Sequence, residues 1–187
     1  MKKLLLLAAA LLVSVQASAQ KNTSQSYIEK FKDDAIRIMH ASGVPASIIL
    51  AVAMHESGNG NSKIAQNLNN QFGVKGYNKT TYTTANNKKV STFYKHYDSV
   101  LESFEDFARI MTQRKQFSQL AEKLSNVDYK GWAKGIQRAG YCSSHRWSKD
   151  VMGIIQKYKL NMFDFATEPA TEAAVNPIDI DKDVDNK

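Results

Sequence analysis

The chain has 187 residues, of which 43% are hydrophobic, and carries 25 Lys+Arg against 18 Asp+Glu for a net charge of +7. Its one cysteine, Cys142, excludes an internal disulfide framework, and nothing beyond the first twenty residues is apolar for long enough to span a bilayer. The charge is unevenly spread. Residues 164–187 hold seven acids against Lys182 and Lys187, the leader holds Lys2 and Lys3, and residues 20–163 therefore stand at +10. A domain this basic suits an anionic polymer such as cell wall, nucleic acid or acidic lipid. It lacks the interleaved basic and aromatic residues of a nucleic-acid platform, so no nucleic-acid partner is expected.

Taken in order, residues 1–19 read as a signal peptide: Lys2 and Lys3, an apolar core from Leu4 to Val15, and Ala17-Ser18-Ala19 before the cleavage point. Export to the periplasm or beyond is expected, with no lipid attachment for want of a cysteine there and no stable membrane insertion. Residues 20–163 then form one domain, expected to act as a monomer, and 164–187 a disordered acidic tail. Ile28, Phe31, Ala35, Ile38 and Met39 recur at helical spacing over 27–40, and Ser42-Gly43 closes that helix. Pro45 opens the next, Gly58 ends it, and the two make a helical hairpin.

The second helix carries the most informative residue. Ser47 to Met54 is an apolar run that ends in one carboxylate, Glu56, followed at once by Ser57-Gly58-Asn59-Gly60. Glu56 thus sits at the negative pole of a helix dipole, among apolar neighbours and beside a loop expected to leave room for a ligand. A general acid needs a carboxyl group so placed. The bland alternative is a helix-end glutamate facing water, and the helix alone does not decide between them.

A short helix follows over 62–68. Thr80 to Thr84 and Val90 to Tyr94 are β-branched and aromatic around a turn at 85–88, which predicts a β-hairpin. Ser99 and Glu102 form a capping box for a helix running to about Gln113. Further helices are expected around 117–124, over 129–138 up to Gly140, and from Trp147 to Tyr158. The fold class is α+β, mainly helical, with a small β-hairpin lobe and a cleft between the lobe and the helical body.

Four blocks of this sequence, in order, resemble bacterial β-N-acetylglucosaminidases of glycoside hydrolase family 73, which includes flagellar and autolysin domains. They are Ile49 to Gly58 with Asn69 to Gly76, Tyr94 to Ser99, Ala139-Gly140-Tyr141, and Trp147 with Ile154 to Tyr158. The resemblance implies a lysozyme-like fold that cuts peptidoglycan glycan strands after N-acetylglucosamine, with peptidoglycan as partner and no cofactor. It implies Glu56 as the catalytic acid and Tyr141 as an active-site tyrosine. Asn70 and Phe72 fall on the motif flanking the cleft and are candidate substrate contacts, although Phe72 would equally serve to anchor the hairpin lobe. Trp132 and Trp147 sit at helical spacing among apolar residues and are expected in the core.

One departure from the family stands out. Many members place a second Asp or Glu in or near the hairpin, yet residues 57–97 contain no acid. Participation by the substrate's own 2-acetamido group would replace it, with Tyr141 orienting that group. The competing source of a base is Asp98, Glu102 or Asp106. Two other constellations are weaker: His55-Glu56-Ser57-Gly58-Asn59 lacks the second histidine of a zinc-protease helix, so no metal is expected, and Cys142 with His145 would make a cell-wall amidase only if a distant base existed. A peptidoglycan-binding module without activity is the remaining alternative.

Overall fold

A computed structural model describes residues 21–169; the expected signal peptide and residues 170–187 of the expected tail lie outside them. Thr23 caps α1 (Ser24–Ser42), accepting from the Ser26 N–H in a capping box, and Gly43 ends the helix in the left-handed region at φ 77°. Pro45 stands at the N-cap of α2 (Ala46–Ser57), and Gly58 terminates it at φ 58°. Every residue of α2 from Ala46 to Met54 is buried. A helix that is apolar all round must be enclosed on all sides, and α2 accordingly packs against α1, α4 (Val100–Gln113), α6 (Tyr129–Arg138), α7 (Trp147–Tyr158) and a 3-10 helix, Leu160–Phe165. It is the axle of the domain, and only its last turn reaches the surface.

The hairpin lobe leaves this body after α3 (Lys63–Leu68), with β1 (Lys75–Thr83) pairing antiparallel to β2 (Lys89–Tyr94). The register sets Thr80 against Thr92 and Thr83 against Lys89, with an irregularity between Lys75 and Thr80. β1 begins five residues before the β-branched run that predicted it. Lys75 and Gly76 have no strand propensity of their own; they are paired because β2 reaches back to them, Lys75 lying opposite Tyr94. Ser99 caps α4 as expected, accepting from the Glu102 N–H, but the expected box is not closed, since the Glu102 carboxylate accepts from the Asp98 N–H at 2.8 Å and not from the Ser99 N–H. α5 (Lys115–Lys123) joins α4 to α6.

The C-terminal boundary differs from expectation. Asp164, expected to open the acidic tail, is only 4% exposed. Its carboxylate accepts from the Ser47 N–H at 2.8 Å and from the Ser47 hydroxyl at 2.7 Å. Pro45 offers no side-chain cap, so the 3-10 helix returns across the chain to cap α2 from outside. No local pattern announces a cap that comes from 117 residues away.

Burial pushes the Asp164 carboxyl up to about 6, against the lowering effect of the two Ser47 bonds. With the folded value above the ordinary 3.8, protonation favours the folded state. This contribution is fully present below about pH 4 and is lost as pH rises through about 6. Between pH 5 and 7 the melting temperature of wild type should therefore fall more than that of Asp164→Asn, which cannot titrate. Parallel curves for the two proteins would rule this linkage out.

Candidate active site

Glu56 stands where the axle helix emerges. Its Oε1 accepts a hydrogen bond from the Trp147 indole Nε1–H at 2.7 Å, and Oε2 has no partner among the described residues. Trp147 is itself 1% exposed, the first residue of α7, and its ring lies 5.3 Å from that of Tyr141. The carboxylate is thus oriented from the core side by a rigid donor. Around it lies a groove of about 300 Å3, walled on one side by Phe72 to Lys75 at the root of the hairpin and on the other by Gly140 to Cys142. Glu56 is the only acidic residue in that lining.

Tyr141 follows Gly140, which takes the left-handed conformation at φ 83° to turn the chain out of α6. The Tyr141 hydroxyl donates to the Phe72 carbonyl at 3.0 Å, tying the two walls of the groove together. Burial, reinforced by the nearby Glu56 charge, raises this phenol well above its ordinary value, so the hydroxyl keeps its proton and its donor role. Its lone pairs remain available to accept from a ligand.

Two of the expected substrate contacts are placed otherwise. Asn70 is 1% exposed; its amide donates to the carbonyls of Val74 and Lys95 at 2.9 and 2.8 Å, and its oxygen accepts from the Val74 N–H at 3.0 Å. It is the clasp at the root of the hairpin, and its polar atoms are taken up by backbone. Phe72 borders the groove but is 2% exposed, its ring stacked on Phe107 at 4.4 Å and edge-on to Phe104 at 5.2 Å. What it offers toward the site is the carbonyl held by Tyr141. Both residues shape the cleft by positioning its wall.

The loop after Glu56 also departs from expectation. Instead of leaving room for a ligand, residues 58–61 are strapped to the chain before α1. Asn22 N–H donates to Asn61 Oδ1 at 2.9 Å, Asn22 Nδ2 to the Asn59 carbonyl at 3.1 Å, and Asn61 Nδ2 back to the Asn22 carbonyl at 2.9 Å. The groove that Glu56 itself lines includes none of residues 58–61. None of the three alternative carboxylates borders the groove. The backbone N–H of Asp98 engages Glu102, and Asp106 is held by Tyr97, Lys95 and Arg109. Cys142 does border it, but its sulfur accepts from the Ser144 N–H at 3.5 Å, and no hydrogen bond among the described residues joins it to the exposed His145.

The sequence model of the glucosaminidase family, described as mannosyl-glycoprotein endo-beta-N-acetylglucosaminidase, matches residues 32–160. This chain belongs to that family. The exo-glucosaminidase LytG of Bacillus subtilis is 28% identical over 150 residues, covering 75% of this chain and 53% of LytG. The peptidoglycan hydrolase FlgJ of Escherichia coli K12 is 27% identical over 150 residues, covering 73% of this chain and 47% of FlgJ. This chain thus spans about half the length of the curated relatives it matches. The glycoside hydrolase domain of Salmonella typhimurium FlgJ superposes with a TM-score of 0.59 at 27% identity, covering 74% of this chain and 89% of that domain.

Within this glucosaminidase domain the residue that sequence reasoning passed over is Trp147. Its place in the core agrees with the structure at 1% exposure, as does that of Trp132 at 0%, whose indole donates to the Ser125 carbonyl at 3.2 Å. Only one of the two also touches the carboxylate. The signal separating them is that Trp147 opens a helix, where its indole edge faces the end of α2, and that relation belongs to the tertiary fold.

Proposed function

We propose that this protein is an exported peptidoglycan hydrolase that cleaves the glycan strand after N-acetylglucosamine, with Glu56 as general acid. The observation that carries this reading is the Glu56 carboxylate at the mouth of a buried helix, one oxygen held by Trp147, in a groove of which it is the only acid. The family, and relatives named for glucosaminidase and peptidoglycan hydrolase activity, support the substrate class. An internal cut is favoured because Val74, Lys75 and Arg114 border both this groove and a neighbouring cleft, so a strand can continue past Glu56.

The two-carboxylate scheme of most glycosidases needs a second acid at the sugar, and the lining supplies none. The substrate's 2-acetamido carbonyl oxygen takes that role in our reading. It attacks the anomeric carbon while Glu56 gives its proton to the leaving oxygen, and water then opens the cyclic intermediate as Glu56 takes a proton back. Tyr141, donating to Phe72, accepts the acetamide N–H and aligns the carbonyl. Mass spectrometry of digested sacculi should show muropeptides with N-acetylglucosamine at the reducing end. Released stem peptide would indicate the Cys142 amidase, and no product an inactive binding module. Proton NMR of fresh product should show the β-anomer first; an α-anomer appearing first would exclude acetamide participation.

A further inference from the structure

Beyond the groove that holds Glu56 the surface turns strongly basic. A second cleft, of about 410 Å3, opens directly off the first, with Lys75 and Arg114 bordering both and Lys95 and Arg109 completing the wall. Four cations face one carboxylate, Asp106, which is 6% exposed. Asp106 accepts from the Tyr97 hydroxyl at 2.7 Å, from Lys95 Nζ at 3.1 Å and from Arg109. Burial works against its charge, but these donors outweigh that and hold its carboxyl below the usual range. The buried anion therefore fixes Lys95 and Arg109 in place while cancelling a single charge. Lys75 Nζ lies 3.3 Å from the centre of the Tyr94 ring, and Arg114 forms no ion pair among the described residues.

A purely structural ion cluster would be close to neutral. This one sets four cations on half-exposed or exposed side chains against one carboxylate, an excess of three positive charges, with Lys95 and Arg109 pinned by Asp106 and Lys75 held over a ring. Cations fixed in advance at the rim of a groove attract and orient an anion at little entropic cost. The sugar backbone of a peptidoglycan strand is neutral. Its carboxylates sit on the peptide attached to each N-acetylmuramic acid, the sugar on the leaving side of the bond in question. We propose that this second cleft receives the carboxylates of that peptide, so that peptide-bearing strands are the preferred ligand over bare glycan. The inference rests on the peptidoglycan reading above and adds to it the recognised substituent.

Binding of end-labelled strands to the full chain carrying Glu56→Gln, followed by fluorescence anisotropy, tests the cleft without consuming the ligand. Strands with intact peptides should bind about tenfold tighter than strands stripped of them by an amidase and then amidated at the lactyl carboxylate that the amidase exposes, the scale expected of a few half-exposed ion pairs acting together. The preference should shrink toward parity at high salt, in the Lys75→Gln/Arg114→Gln double variant, and in Arg109→Gln, which lies outside the lining around Glu56. Thermal melts confirm that each variant folds. Peptides with amidated carboxylates should bind like stripped strands. Equal binding of intact and stripped strands overturns the proposal, as does a preference that survives in both variants or after amidation. So does tight binding of stripped strands that still carry phosphate polymer, which would make phosphate the anion recognised. Failure of wild type to cut either strand overturns the hydrolase reading instead, and these binding ratios are read independently of it.

Discussion

Glu56→Gln is expected to fold and to bind glycan as wild type does while losing turnover by about 10²–10⁴-fold, the usual contribution of a positioned general acid. The amide keeps the shape of the carboxyl and an oxygen to accept from the Trp147 indole, so the packing at the end of α2 need not change. It cannot give a proton to a leaving oxygen. Since the groove lining has no other acid, no neighbour can take over. A variant that keeps more than about a tenth of the wild-type rate is incompatible with Glu56 as general acid. Turnover is read on sacculi, and binding by co-sedimentation with the same material.

The second large effect is expected at Trp147, and two substitutions separate its two roles. Trp147→Phe keeps most of the ring in the core and removes the Nε1–H that holds Oε1. A hydrogen bond to a charged group is worth about 1.5–3 kcal/mol, so kcat should fall about tenfold to a hundredfold. KM should move little, because the indole is buried and borders no substrate space. Trp147→Ala adds a cavity beneath α2 and should cost about 3–5 kcal/mol of stability, a drop in melting temperature on the order of 10 °C for a domain of this size. If Trp147→Phe turns over at the wild-type rate, the indole does no more than fill the core. A rise in KM with kcat unchanged would instead point to a lost substrate contact.

Asn70 shows how a motif can mark the right region and the wrong role. It was legible as part of the Asn69 to Gly76 block, beside a cleft, and the structure does put that block in the groove wall. Its own amide, however, is spent on the backbone of Val74 and Lys95. A buried amide must satisfy its polar atoms wherever partners lie, and those partners are settled by how β2 returns to the root of β1. Phe72 follows the same logic: its ring packs on Phe104 and Phe107, which is the anchoring role its sequence also allows. Asp164 is the opposite case. Its sequence groups it with the six acids that follow it, and it is buried because the uncapped start of α2 needs an acceptor.

What depends on near neighbours is legible along the chain. Helical spacing set α1 and α7, Pro45 and Gly58 bounded α2, the Ser99 cap began α4, and β-branched runs marked most of the hairpin. The chain alone also shows that Glu56 ends the most apolar helix, since a run with no polar face can only be an inner one. Tertiary structure alone decided which side of Glu56 is open. The loop expected to leave space there is closed by Asn22, and the groove lies instead between residues 72–75 and 140–142. It alone decided that Trp147 holds the carboxylate, that Tyr141 ties the two walls together, and that four cations gather next to them. Each of these relations joins residues far apart in the chain, with Trp147 lying 91 residues from Glu56. Periodicity and capping report only the neighbours a residue has along its own helix or strand, whereas the partners across the groove are set by how those elements pack.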